Sequence, residues 1–100
     1  MPSFTVSHQS RLSAEEAFER VCSVVENASE FRDIDPQYRC SFDDQNLSGS
    51  AKSKLFKAAL KVKQRGSGSQ VDMTIDLPMK YALAKGMIRN ALKQKMRAEL

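Results

Sequence analysis

One hundred residues, 41% hydrophobic and 28% charged, fit a single domain of ordinary soluble composition and exclude a wholly disordered chain. No apolar run approaches the ~18 residues that a bilayer crossing needs, so a transmembrane helix is excluded as well. The net charge of +4 is divided unevenly: residues 1–50 hold four basic and nine acidic side chains, a balance of −5, and residues 51–100 hold twelve and three, a balance of +9. The second half can therefore meet an anionic partner, while a merely solvated surface is the plainer reading of the same charge.

The opening "MPSFTVSHQS" lacks a basic segment followed by an apolar one and does not read as a signal peptide. Within it, "SFTVSH" (3–8) alternates, with Phe4, Val6 and His8 on one side, and predicts a first strand. "LSAEEAFERVCSVVENA" then changes period. Ser13 and Glu16 form a capping box, in which hydroxyl and carboxylate each take an orphan amide. Ala14, Ala17, Phe18, Val21, Cys22, Val25 and Ala28 recur at three- and four-residue steps, which predicts a helix over 13–29. Glu15, Glu16 and Glu19 suit its positive end.

"SEFRDIDPQ" is read as a loop, since Pro36 keeps Asp35 out of helical geometry. "YRCSFDD" alternates, with Tyr38, Cys40 and Phe42 on one side. "LSGSAKSK" alternates more weakly, and its small side chains predict either an edge strand or a place where a helix or ligand nears the backbone.

Two stronger strands follow. Phe56, Ala58, Leu60 and Val62 point inward, with Lys57, Ala59, Lys61 and Lys63 outward. "RGSGS" turns the chain. Val71, Met73, Ile75 and Leu77 then point inward, with Asp72, Thr74 and Asp76 outward, so antiparallel pairing sets a lysine row beside an acidic one. Pro78 presets the first turn of a last helix. Its predicted apolar stripe is Leu83, Ala84, Met87, Ile88, Ala91, Leu92 and Met96, and Lys85, Arg89, Lys93 and Arg97 form a basic line along one flank. Gly86 costs this helix about 1 kcal/mol against alanine, and would suit close approach to the small residues of the third strand.

The element order β-α-β-β-β-β-α predicts an α+β fold: an antiparallel sheet with one face covered by two helices, a small helix-grip-like two-layer sandwich. A curved sheet holding a long helix can enclose an apolar ligand, and Phe56, Leu60, Met73, Ile75, Leu83 and Met87 are the expected lining. A filled core is the competing expectation.

Little points to catalysis. His8 is the sole histidine and falls on an inward strand face. Asp33, Asp35, Asp43 and Asp44 lack metal-loop spacing, and "GSGS" lacks the lysine of a phosphate loop. Cys22 and Cys40 fit no zinc or CxxC pattern and read as buried, reduced thiols. The expectation is a cytoplasmic protein with no catalytic residue, cofactor or metal. Nucleic acid is not the expected partner, because Phe4, Phe42 and Phe56 face inward and leave no aromatic platform for bases.

The residues "SHQ" with "LSAEEAFERV", then "CSFDDQNLSGSAKS", then "VDMTIDLPMKYALAKGMIRNALKQKM" resemble the small bacterial proteins of the polyhydroxyalkanoic acid system family over nearly the whole chain. Where that family often carries tryptophan before the acidic turn, this chain has Cys40-Ser41-Phe42. The resemblance implies an accessory role in polyester-storing bacteria and carries no catalytic residues. The expected partner is then a polyhydroxyalkanoate granule or another anionic surface or protein, met through Lys85, Arg89, Lys93 and Arg97 with Lys57, Lys61 and Lys63. The apolar stripe is also needed for the core, so adsorption to a granule requires either opening of the fold or a separate exposed patch. A homodimer through an edge strand at 3–8 or 46–53 is a further expectation.

Overall fold

The computed structural model describes residues 3–100. Strand β1 (Ser3–Ser10) leads into helix α1 (Ala14–Glu26) and a short helix α2 (Ser29–Ile34). Four strands follow: β2 (Arg39–Asp43), β3 (Ser48–Lys52), β4 (Lys57–Arg65) and β5 (Gly68–Asp76). A 3₁₀ helix (Met79–Ala84) then runs into α3 (Lys85–Glu99). All neighbouring strands are antiparallel, in the order β1-β5-β4-β3-β2, and α1 and α3 cover one face. This is the α+β two-layer arrangement expected from the alternation.

Local chemistry sets most of the boundaries. The Ser13 hydroxyl accepts from the Glu16 amide at 3.3 Å and caps α1. The β4–β5 hairpin turns on Gly66 and Ser67, with Arg65 opposite Gly68. Gly66 takes φ +59, a left-handed conformation that glycine adopts without Cβ strain. The register sets Lys57 opposite Asp76 and Lys61 opposite Asp72, as the alternation predicts, and Lys63 opposite Gln70. Burial pushes the Asp72 carboxyl up. Hydrogen bonds from Gln70 and Ser7, with Lys63 and Arg65 nearby, outweigh this and hold it below the usual range.

The structure corrects three expectations. The segment expected as a loop contains α2, because Ala28, Phe31 and Ile34 recur at three-residue steps and all three are buried. Six residues cannot sustain a helix by propensity; burial of Phe31 against Phe56 (ring centroids 4.9 Å apart) and Tyr38 (5.7 Å) holds it. Strand β3 is interior, paired with β2 and β4, so the sheet's edges are β1 and β2. Helix α1 packs over this strand, as its small side chains allow, while a Cβ on Gly49 would lie 2.5 Å from Phe42 Cδ1, so a ring from the neighbouring strand fills that space. A Cβ on Gly86, by contrast, would meet nothing within 4 Å, and this glycine makes no close approach to the third strand.

Helix α3 docks through Ile88, Leu92 and Met96, all buried. Its far end is tied down. Ser10 Oγ donates to the Leu100 carbonyl at 2.8 Å, Arg20 Nη1 donates to the Glu99 carbonyl at 3.0 Å, and Lys95 Nζ sits 2.6 Å from Glu30 Oε1. No helix of the described residues is long and apolar enough to cross a membrane.

Candidate functional site

Pro78, with φ −61 and ψ 153, lifts the chain off the end of β5 into the 3₁₀ helix, none of whose residues is buried. With three residues per turn in place of 3.6, six residues turn about 120° further than an α-helix would. The apolar stripe therefore splits. Ile88, Leu92 and Met96 face the sheet, while Met79, Leu83 and Met87 are 76%, 100% and 77% exposed. Isolated exposed apolar residues are ordinary, but three within nine positions leave an unusual amount of apolar surface on this one segment. The sequence around them is wholly cationic in its charges: residues 77–98 contain Lys80, Lys85, Arg89, Lys93, Lys95 and Arg97 and no acid.

The predicted basic flank is present. Arg89, Lys93 and Arg97 each follow a buried residue by one position, about 100° round the axis, and Lys85 lies one turn earlier. Arg89 and Arg97 are exposed, and Lys85 and Lys93 half-buried. The flank overlooks the β1 edge. His8, half-buried on β1, has its pKa lowered by burial and by the Arg97 charge. Lys95 lies apart from this flank and is held by Glu30. Burial pushes the Glu30 carboxyl up, but the Lys95 hydrogen bond and nearby donors prevail and hold it below its usual range.

Lys57, Lys61 and Lys63 stand exposed on the outer face of the sheet, in the opposite layer from α3. The basic residues expected to act together thus form two surfaces. On that outer face Arg39, Lys52 and Lys57 are direct neighbours across β2, β3 and β4, a like-charged row that only the register brings together.

The expected pocket lining is likewise divided. Phe56, Leu60, Met73 and Ile75 are 3%, 4%, 0% and 0% exposed, packed in the core. Leu83 and Met87 lie outside the molecule and share no space with those four.

A groove that the sequence did not announce runs along α1 where it faces β2 and the turn before β3. Its volume is about 480 Å³. The floor is Phe18, Cys22, Phe42 and Leu47, and the rim is Glu15, Glu19, Glu26 and Asp44. Phe18 and Phe42 meet edge to face, centroids 6.4 Å apart. Leu47 is held at φ +48, a left-handed conformation unusual for leucine, while Asp43 accepts from the Gln45 and Asn46 amides in the same turn. Burial, with the charges of Glu26 and Asp44 and the neighbouring Cys40, pushes the Cys22 thiol up to about 12. The only sequence trace of the groove is acids and Cys22 at four-, three- and four-residue steps (Glu15, Glu19, Cys22, Glu26), one face of a helix.

No family model and no curated protein matches the chain. Solved structures do. The protein XoxI from Bacillus cereus is similar over 99% of this chain and 96% of its own, at 14% identity and a TM-score of 0.61. An uncharacterised protein from Bacillus thuringiensis matches over 97% and 98%, at 14% identity and 0.59. TTHA0849 from Thermus thermophilus matches over 97% and 98%, at 10% identity and 0.57. At such identities the likeness shows a shared fold.

Proposed function

We propose that this chain is a non-enzymatic accessory protein of polyester storage, docking on the amphiphilic coat of a polyhydroxyalkanoate granule. The observation that carries the reading is the exposed patch of Met79, Leu83 and Met87 beside the flank of Lys85, Arg89, Lys93 and Arg97. It supplies what the sequence left wanting, an apolar contact that the core does not use. The chemistry is that of an interfacial helix: apolar side chains enter the layer while cations meet its anionic heads. Each fully buried side chain contributes about 1.5–3 kcal/mol. Each cation near an anionic layer adds about 1 kcal/mol, and less as salt rises. Reversible binding follows.

Cosedimentation with isolated granules across a salt series tests this. Wild type pellets at low salt and partly releases as salt rises. Leu83→Glu with Met87→Glu abolishes pelleting. Changing Lys85, Arg89, Lys93 and Arg97 to glutamine weakens it and flattens the salt dependence. Changing Lys57, Lys61 and Lys63 leaves it intact, because they sit on the other layer. A glutamine variant of α3 that pellets like wild type at every salt would rule out the flank.

A further inference from the structure

We infer that the acidic groove along α1 receives the cationic apolar patch of a second copy of this chain. The inference rests on the patch just described and not on what surface that patch meets. Three observations fit the two together. The first is polarity: the groove has an apolar floor of Phe18, Cys22, Phe42 and Leu47, and the patch offers Met79, Leu83 and Met87. The second is charge. Glu15, Glu19, Glu26 and Asp44 rim the groove, whereas the segment carrying the patch contains six basic residues and no acid. Charges so arranged steer and orient an encounter. The third is length. Glu15 to Glu26 spans eleven helical steps, about 16 Å, and Met79 to Met87 spans eight steps at 1.5–2.0 Å, about 12–16 Å. An apolar helical face laid in a groove is a recurrent mode of recognition.

The groove and helix α3 lie towards opposite edges of the sheet. Helix α3 packs over the β1 edge, and the groove opens beside β2 and the turn before β3. A chain cannot fill its own groove, and the contact is head to tail. Such a contact either grows into a chain of copies or closes as a ring. Self-docking also covers the patch, so assembly and surface binding exclude one another on any one copy.

The test is complementation, followed by sedimentation velocity over a wide concentration range at low salt. Wild type gains mass with concentration and loses it as salt rises. Leu83→Glu keeps its groove and loses its patch. Glu19→Lys, with Asp44→Lys as a second groove variant, keeps the patch and loses the groove. Each alone stays monomeric, and an equimolar mixture of one patch and one groove variant gives a two-chain complex that grows no further. A wild type that stays monomeric throughout, a groove variant that assembles like wild type, or a mixture that stays monomeric would each overturn the inference. Granule pelleting does not enter this readout. The groove variants keep an intact patch, so failure to assemble and failure to bind granules are separate results.

Discussion

Gly86→Ala should stabilise this protein, and Gly49→Ala should destabilise it. Gly86 is the second residue of α3, exposed, and a Cβ there meets nothing within 4 Å. Alanine in its place removes a helix penalty of about 0.5–1 kcal/mol, partly by narrowing the unfolded ensemble. For a domain of this size that raises Tm by about 2–8 °C. Gly49 is the opposite case. Its Cβ would sit 2.5 Å from Phe42 Cδ1 and 3.1 Å from the Ser41 carbonyl oxygen. Phe42 is set edge-on against Phe18, so its ring could make room only by shifting towards the groove and giving up that contact. Overpacking of this kind costs about 1–3 kcal/mol. Circular-dichroism melts and urea titrations of both variants would read the two signs, with an unchanged urea slope showing that the native state is intact. If Gly86→Ala fails to raise the midpoint, or Gly49→Ala raises it, the packing assigned to these two sites is wrong.

Three further outcomes follow from the charges and thiols. The Glu30 carboxyl is held below its usual 4.5, so the stability it contributes is present near neutrality and is lost as pH falls through that range. Glu30→Gln should therefore be the weaker protein near neutrality, by about 1 kcal/mol or less because Lys95 is partly solvated, and should match wild type well below pH 4.5; a gap that persists in acid would contradict the linkage. Lys52→Glu places an acid between Arg39 and Lys57 on the outer sheet face and should stabilise by about 0.2–1 kcal/mol per new pair, most at low salt, as read by urea midpoints. Burial raises both thiols, Cys22 to about 12, and Cys40 is the less covered of the two, so a thiol reagent at mildly alkaline pH should label Cys40 first and Cys22 only on unfolding; prompt labelling of Cys22 would refute this.

What the sequence made legible was whatever a single element decides. Alternation in β4 and β5 assigned inward and outward residues correctly, and Ser13 marked the start of α1. What it hid depends on neighbours that are distant in the chain. The interior place of β3 comes from pairing on both sides, and the row Arg39, Lys52 and Lys57 exists only through two registers. Helix α2 was hidden for another reason: Pro36 is a strong stop signal, and the three-residue recurrence of Ala28, Phe31 and Ile34 before it is too short to stand out. The patch arose because the 3₁₀ turn rotates Met79 and Leu83 off the line of Ile88, Leu92 and Met96, and Met87 stands about 100° round the helix from Ile88. Nothing in a list of residues states which edge of such a stripe will be left outside. The groove joins α1 to Phe42 and Leu47, residues more than fifteen positions beyond that helix, and no local pattern links them.

The three ties at the end of α3 reverse the order in which such a helix comes loose. Ser10, Arg20 and the Glu30–Lys95 pair anchor its last turns, while its approach through the 3₁₀ segment contributes only the half-buried Tyr81 and Ala84 to the core. Amide exchange should accordingly be fast near Met87 and slow near Met96, a gradient set by unequal local opening. The helix is thus fastened most firmly at its last turns and more lightly where it leaves Pro78.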